Sequence, residues 1–199
     1  MSDGSGAYNR YYGRLTNGEV KIRGIMARKR DTPEYVKRMQ LEMFDDLSRA
    51  NCTEELHQVA PDARAVFERY VLKLEDADPR GFIMRRRIGR TRYEKRSLEA
   101  SAVEAVRELG ISHDPGVEVG YVVRDASTWA VSVEDDTSEL DTGYYKKLLE
   151  KAWIEVSVLT FALEPWITLL PSSFSASSEK VIESLLKSPK NVLEDMGMD

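Results

Sequence analysis

The side chains that could do chemistry in this chain are cations, and they fall into two clusters. Arg10, Lys21, Arg23, Arg28, Lys29 and Arg30 make up the first, with Tyr11 among them; Arg86, Arg87, Arg90, Arg92, Lys95 and Arg96 make up the second. Residues 8–40 hold nine Lys/Arg against Glu19, Asp31 and Glu34, a net of +6, and residues 85–96 hold seven against Glu94, again +6. The whole chain carries −5, because residues 97–199 hold eight basic and nineteen acidic residues, a net of −11. Cations gathered in two places on an otherwise acidic chain suit a polyanion, since Lys and Arg gain free energy by displacing the counterions condensed on phosphates. Either run alone reads equally well as a solvated surface.

Other chemistries find little support. The single cysteine, Cys52, excludes an internal disulfide framework and a cysteine-rich zinc site, and is expected to be a small semi-buried residue. His57 and His113 have no Cys, His or carboxylate neighbours at ligand spacing. Asp135-Asp136-Thr137-Ser138 lies in an acidic loop and is not expected to hold metal. Trp153 and Trp166 read as core or interface. No run of 18 apolar residues occurs, so no transmembrane helix is expected, and MSDGSG is not a secretion signal. A cytoplasmic location is the default expectation. With 199 residues the chain can build one sizeable core or two small ones.

The elements that must position the cations follow from pattern. Residues 8–16 and 19–28 are expected to form a β-hairpin on a type I′ turn at Asn17-Gly18. Lys21 and Arg23 alternate on its second strand and share a face. Nothing later in the chain clearly supplies a sheet for this hairpin, so it is expected to complete a sheet on another polypeptide. Gly24 suits a close backbone approach or a bulge. Thr32-Pro33-Glu34 reads as a helix start with Thr32 as the N-cap. Val36, Met39, Met43 and Leu47 then mark the buried face of a helix over 33–48. Pro61 is expected to start a second helix, with Ala63, Val66, Phe67, Tyr70, Val71 and Leu74 as its stripe. Phe82, Ile83, Met84 and Ile88 sit among arginines in a short extended piece and a loop. A third helix is expected over 101–109 with Leu109 inward and Gly110 as its stop, then strands at 117–124 and 129–133. The longest helix is expected over 142–163, limited by Pro165. A Ser-rich linker at 171–178 and a short helix at 179–187 follow.

These landmarks, in this order, resemble the C-terminal end of archaeal family B DNA polymerases. NRYYGRLTNGEVKIRG is similar to the segment with the family's Lys-Lys-x-Tyr element, and ARKRDTPEYVKRMQ to the Arg-Arg-Asp segment and helix between palm and thumb. FIMRRRIGRTRYEKRSLEASAVEAVREL resembles the thumb stretch with an Ile-Thr-Arg element, a Tyr-Lys pair and an alanine-rich helix. PGVEVGYVVRD and DTGYYKKLLEKAW are similar to its Tyr-Val-Val strand and final thumb helix. The likeness spans about residues 8 to 165. The D-x-x-S-L-Y-P-S and D-T-D-S elements, whose aspartates hold the two metal ions of nucleotidyl transfer, do not occur in this sequence, nor do the exonuclease elements.

The resemblance implies an α+β fold with a palm-completing hairpin and basic connector over 1–31, a mainly helical thumb with a few short strands over 32–170, and a linker, short helix and tail over 171–199. It implies the non-catalytic subunit of a split polymerase, with catalysis, proofreading and Mg2+ on a larger partner chain, and no cofactor or metal on this one. Arg10 and Tyr11 would take the last two places of the Lys-Lys-x-Tyr element; Tyr8 and Asn9 stand where the family has lysines. Lys21, Arg23, Arg28, Lys29 and Arg30 would face primer–template DNA, one arginine of the connector pairing with Asp31. Arg86, Arg87, Arg90, Arg92, Lys95 and Arg96 would face it from the thumb, some pairing instead with Glu94 or Glu99. Neither Gln40 nor Gln58 begins a motif for a sliding clamp. Two other readings stay open: a self-sufficient double-stranded-DNA-binding accessory protein, and an interaction module whose basic hairpin meets an acidic partner.

Overall fold

Four α-helices and two small antiparallel sheets, an α+β architecture, make up the residues that this computed structural model describes: 11–160, apart from 91, 112–113, 134–135 and 137–138. Arg10, His113, Pro165, Trp166, the Ser-rich segment and the expected last helix lie outside the described residues.

The hairpin is β1 (Tyr11–Arg14) against β2 (Val20–Arg23), shorter than the pattern suggested. Tyr12 stands opposite Ile22 and Arg14 opposite Val20, so these four share one face; Tyr11, Lys21 and Arg23 share the other. The turn is not type I′. Leu15 N–H donates to Glu19 O and Gly18 N–H to Leu15 O, both at 2.8 Å, and in this loop only Gly18, at φ +84°, is left-handed. That makes a three-residue loop closed by a glycine bulge. The side chain of Asn17 instead accepts Glu19 N–H at 3.0 Å.

Among the described residues no further strand joins the hairpin, as expected, and its support is a helix instead of a sheet. Helix α1 (Glu34–Leu47) lies beneath it: the rings of Tyr12 and Phe44 sit 4.6 Å apart, and Ile22 enters the core. Arg14 reaches Asp45 Oδ1 at 2.8 Å and Ser48 Oγ at 2.9 Å. A helix under one face is enough to stabilise two strands that would be marginal alone.

Helix α1 buries Val36, Met39, Met43 and Leu47, as their spacing predicts. Its cap position is Pro33, with ψ 147°, and Thr32 lies buried just outside the helix instead of capping it. Helix α2 (Thr53–Leu72) corrects a second expectation, for Pro61 sits inside it. Leu56, Val59 and Ala60 carry the stripe of Ala63, Val66 and Phe67 toward the N-terminus, and their burial outweighs the hydrogen bond that proline removes. Cys52, just before α2, is exposed rather than semi-buried.

A short 3-10 turn (Pro79–Phe82), capped by Asp78, leads into β3 (Met84–Arg87). Helix α3 (Leu98–Glu108) starts at Ser97, whose hydroxyl accepts Ala100 N–H at 3.1 Å. Ala102, Val103 and Val106 turn inward, but Leu109 falls past the last turn and is 59% exposed. Strands β4 (Glu118–Asp125) and β5 (Ala130–Val133) complete a sheet of order β3-β4-β5. It is buried on both sides, by Val119, Tyr121 and Val123 on one face and Val122 and Ser132 on the other. Helix α4 (Thr142–Thr160) buries Tyr145, Leu149, Ala152 and Val156, and also Trp153, whose ring lies 5.3 Å from Phe67. The Tyr145 hydroxyl accepts Val123 N–H at 2.8 Å, fixing α4 to the sheet.

Between hairpin and α1 the connector makes a 3-10 turn (Met26–Arg28) that buries Ile25, Met26 and Ala27. Their backbone donors need partners inside the core. Glu155 Oε2 on α4 accepts Met26 N–H at 2.7 Å, and Gln40 Oε1 on α1 accepts Ala27 N–H at 2.6 Å. Gln40 Nε2 then donates to Ala152 O and to Glu155 Oε2, both at 3.0 Å. Gln40→Ala would orphan the buried Ala27 N–H and take one donor each from Ala152 O and Glu155 Oε2; urea denaturation should show a loss of roughly 2–4 kcal/mol, against about 0.5 or less for the neighbouring exposed Leu41→Ala.

Candidate nucleic-acid interface

Strand alternation delivers the first cations. With Tyr12 and Ile22 turned toward α1, the outer face of the hairpin presents Lys21, Arg23 and Tyr11, which is 39% exposed and directly opposite Arg23. Gly24, at φ +71°, then redirects the chain into the connector, a left-handed turn that glycine adopts without strain. With Ile25, Met26 and Ala27 anchored in the core, Arg28 and Arg30 emerge exposed and Lys29 half-buried. Lys21, Arg23, Arg28, Lys29 and Arg30 have no ion pair among the described residues.

The second cluster begins on β3. Arg87 closes the strand, exposed and paired in register with Glu118. Arg90, Arg92, Lys95 and Arg96 are exposed in the loop between β3 and α3, without an ion pair among the described residues. Arg86 differs. Its guanidinium lies 3.7 Å from Asp31 Oδ2 and 3.2 Å from Glu99 Oε2. Asp31 thus pairs with Arg86 of the other cluster, where a connector arginine was the expected partner. Glu99 Oε1 accepts the Tyr93 hydroxyl at 2.5 Å, and that hydroxyl oxygen accepts Gly89 N–H at 3.3 Å. A polar chain thus runs from Asp31 through Arg86, Glu99 and Tyr93 to Gly89, tying the connector to the arginine loop. Burial, then the Glu99 hydrogen bond, pushes the Tyr93 hydroxyl above its ordinary range, so it remains a donor at neutral pH.

This junction is where the two basic clusters meet. Beneath it lie Tyr121, pushed up to about 12 chiefly by burial, and Tyr144, also raised by burial. The Tyr144 hydroxyl donates to the Met84 sulfur at 3.7 Å. Sequence reasoning missed Lys151 on α4. Burial, and next the Lys29 ammonium beside it, lowers the Lys151 amine below its ordinary range. The signal was available: Lys151 falls seven residues, two helical turns, after Tyr144. Also missed was the bond from Tyr93 to Glu99 that fastens the loop; an arginine partner for Glu99 was expected, and it is Arg86.

The exposed cations of this arrangement offer positive charge and hydrogen-bond donors of the kind phosphate groups take. Among the described residues no three His, Cys, Asp or Glu are placed to hold a metal ion. Nor is any described helix long and apolar enough to cross a membrane.

No family model and no curated protein matches the sequence. Among solved structures, the chain is similar to the family B DNA polymerase of the hyperthermophilic archaeon Pyrobaculum calidifontis, with a TM-score of 0.58 and 23% identity over 76% of this chain. The match covers 20% of that polymerase, so the chain spans about a fifth of its length. At this identity the likeness is one of fold: these helices and sheets are arranged as in a part of an archaeal family B DNA polymerase.

The geometry separates two neighbouring arginines. Arg87→Ala should leave the urea midpoint unchanged, weaken duplex DNA uniformly across sequences and reduce the salt dependence by about one counterion. Arg86→Ala frees the loop as well as removing a charge, so it should also increase amide exchange over residues 88–96.

Proposed function

We propose that this chain is a non-catalytic subunit of a two-chain DNA-directed DNA polymerase. It completes the palm and supplies the thumb that grips primer–template duplex, while a larger partner chain holds the bond-forming carboxylates and their Mg2+. The observation that carries this reading is the fold: a chain with two joined basic clusters is arranged like part of a family B DNA polymerase, and its sequence contains neither aspartate element of that chemistry.

On this reading Lys21, Arg23, Arg28, Lys29 and Arg30 take phosphates near the primer end, and Arg87, Arg90, Arg92, Lys95 and Arg96 take them further along the duplex. Arg10 joins the first group and Tyr11 abuts the duplex. Arg86 serves chiefly as the fastener between the groups. Phosphate contacts fix position and register without reading sequence, which a polymerase acting on any template requires. The free edge of the β1–β2 hairpin adds to the partner's sheet, where backbone hydrogen bonds supply affinity.

A second reading has its own observation. The hairpin is docked on α1 of its own chain through Tyr12, Ile22 and Arg14. That favours a self-sufficient duplex-binding accessory protein more than an unsupported hairpin would.

Purifying the native protein with whatever accompanies it separates the two. The first reading expects a larger chain bearing both aspartate elements, primer extension by the pair, and none by this chain alone. It further expects the double variant Arg87→Glu, Arg90→Glu to lose duplex binding and extension while remaining assembled. Extension by the isolated chain, or native protein that binds duplex with no companion, would refute it.

A further inference from the structure

We infer that the notch between the β4–β5 turn and the start of α3 is a docking site for one unpaired nucleotide, its base stacked on Trp129 and its phosphate held by Lys95 and Arg96. The site goes beyond the duplex grip, though it rests on the same reading of nucleic acid as the ligand class.

The turn is held rigidly. Asp125 Oδ1 accepts Ser127 N–H at 2.8 Å and Thr128 N–H at 3.4 Å, and Asp141 Oδ2 accepts Ala126 N–H at 2.9 Å. Trp129 closes it at φ 63°, the one non-glycine residue in the left-handed region among those described. Any residue with a Cβ is disfavoured there, and the bulky ones most of all; glycine or asparagine is the usual occupant. Core burial does not offset the strain, because Trp129 is 40% exposed. Strain at a backbone position combined with an exposed indole points to a ligand contact rather than to folding.

The surroundings specify the ligand. Trp129 lines a cavity of about 310 Å³ together with Tyr93, Lys95, Arg96, Glu94 and Glu104. That volume sits at the small end of ligand sites, on the order of 300–1,000 Å³. Two cations balanced by two carboxylates do not suit a bare anion. They suit a ligand with phosphate at one end and N–H donors at the other, which a nucleotide has, and Ser101 and Thr128 border the same space. Tyr93 is held in place by its bond to Glu99, so the notch exists before anything enters it. Lys95 and Arg96 close the arginine loop and line the notch, so on this inference the phosphate they hold is that of the first nucleotide beyond the duplex. Stacking on an aromatic beside cations is how unpaired strands are held without sequence preference.

The test uses the full chain and three probes: fluorescein-labelled dT8, dTMP as competitor, and a blunt duplex as control. Trp129→Gly should weaken dT8 binding roughly 5- to 150-fold, the loss expected when one base loses its aromatic platform. It should leave duplex affinity unchanged and the thermal midpoint equal or higher, because glycine relieves the backbone. Trp129→Asn, also at ease in the left-handed region, is the second variant and should behave alike. Displacement of dT8 by dTMP assigns the site to free nucleotides; displacement only by oligonucleotides assigns it to a strand, and either supports the inference. Unchanged dT8 affinity in both variants overturns it, as does a wild-type chain that does not bind dT8. Failure of the duplex reading would show separately, as a wild-type chain without affinity for the control duplex.

Discussion

Glu155 places a carboxyl group inside the core, 3% exposed, where burying it costs free energy unless hydrogen bonds replace water. Met26 N–H and the wholly buried Gln40 supply them at Oε2, and Oε1 has no partner among the described residues. The connector from the hairpin to α1 has buried backbone donors of its own, and side chains from α4 and α1 meet those of Met26 and Ala27. The chain is therefore held to one path between hairpin and helix. Every cation that follows, from Arg28 to Arg30, reaches the surface where that path ends, and Asp31 arrives beside β3.

The ion pairs at the surface have a different role. Arg86 is about half exposed, and so is screened by water and salt, and pairs of this kind contribute little to stability. Their effect is positional. By holding Asp31 and Glu99 at once, Arg86 sets the connector and the arginine loop side by side, and Tyr93 passes that constraint to Gly89. One arginine of the basic face thus orders the others, and its charge is partly spent on neighbouring carboxylates. Lys151 lies at the same place, its amine lowered chiefly by burial and next by the Lys29 ammonium.

Much of this was legible in the sequence because periodicity reports burial. The stripe of Val36, Met39, Met43 and Leu47 and the alternation of Lys21 and Arg23 both held, since each follows from the backbone's own repeat. What failed depended on tertiary context. Pro61 reads as a start signal unless Leu56, Val59 and Ala60 are known to be buried against the core. Asn17-Gly18 fits two turn types, and the register of β1 and β2 decides between them. The partner of Asp31 was misread because nearness along the chain favoured Arg28 or Arg30, whereas the fold brings β3 against the connector. Trp129 gave no signal at all, for its meaning lies in a backbone angle.

The central claim is that the two basic clusters act as one surface on a nucleic-acid helix. Hydroxyl-radical footprinting of the chain, free and bound to duplex DNA, tests it most directly. Protection should appear together over residues 21–30 and 86–96 and saturate at a single DNA concentration, with the outer face of α2 unchanged. Protection of one cluster without the other, or of neither, would contradict the account.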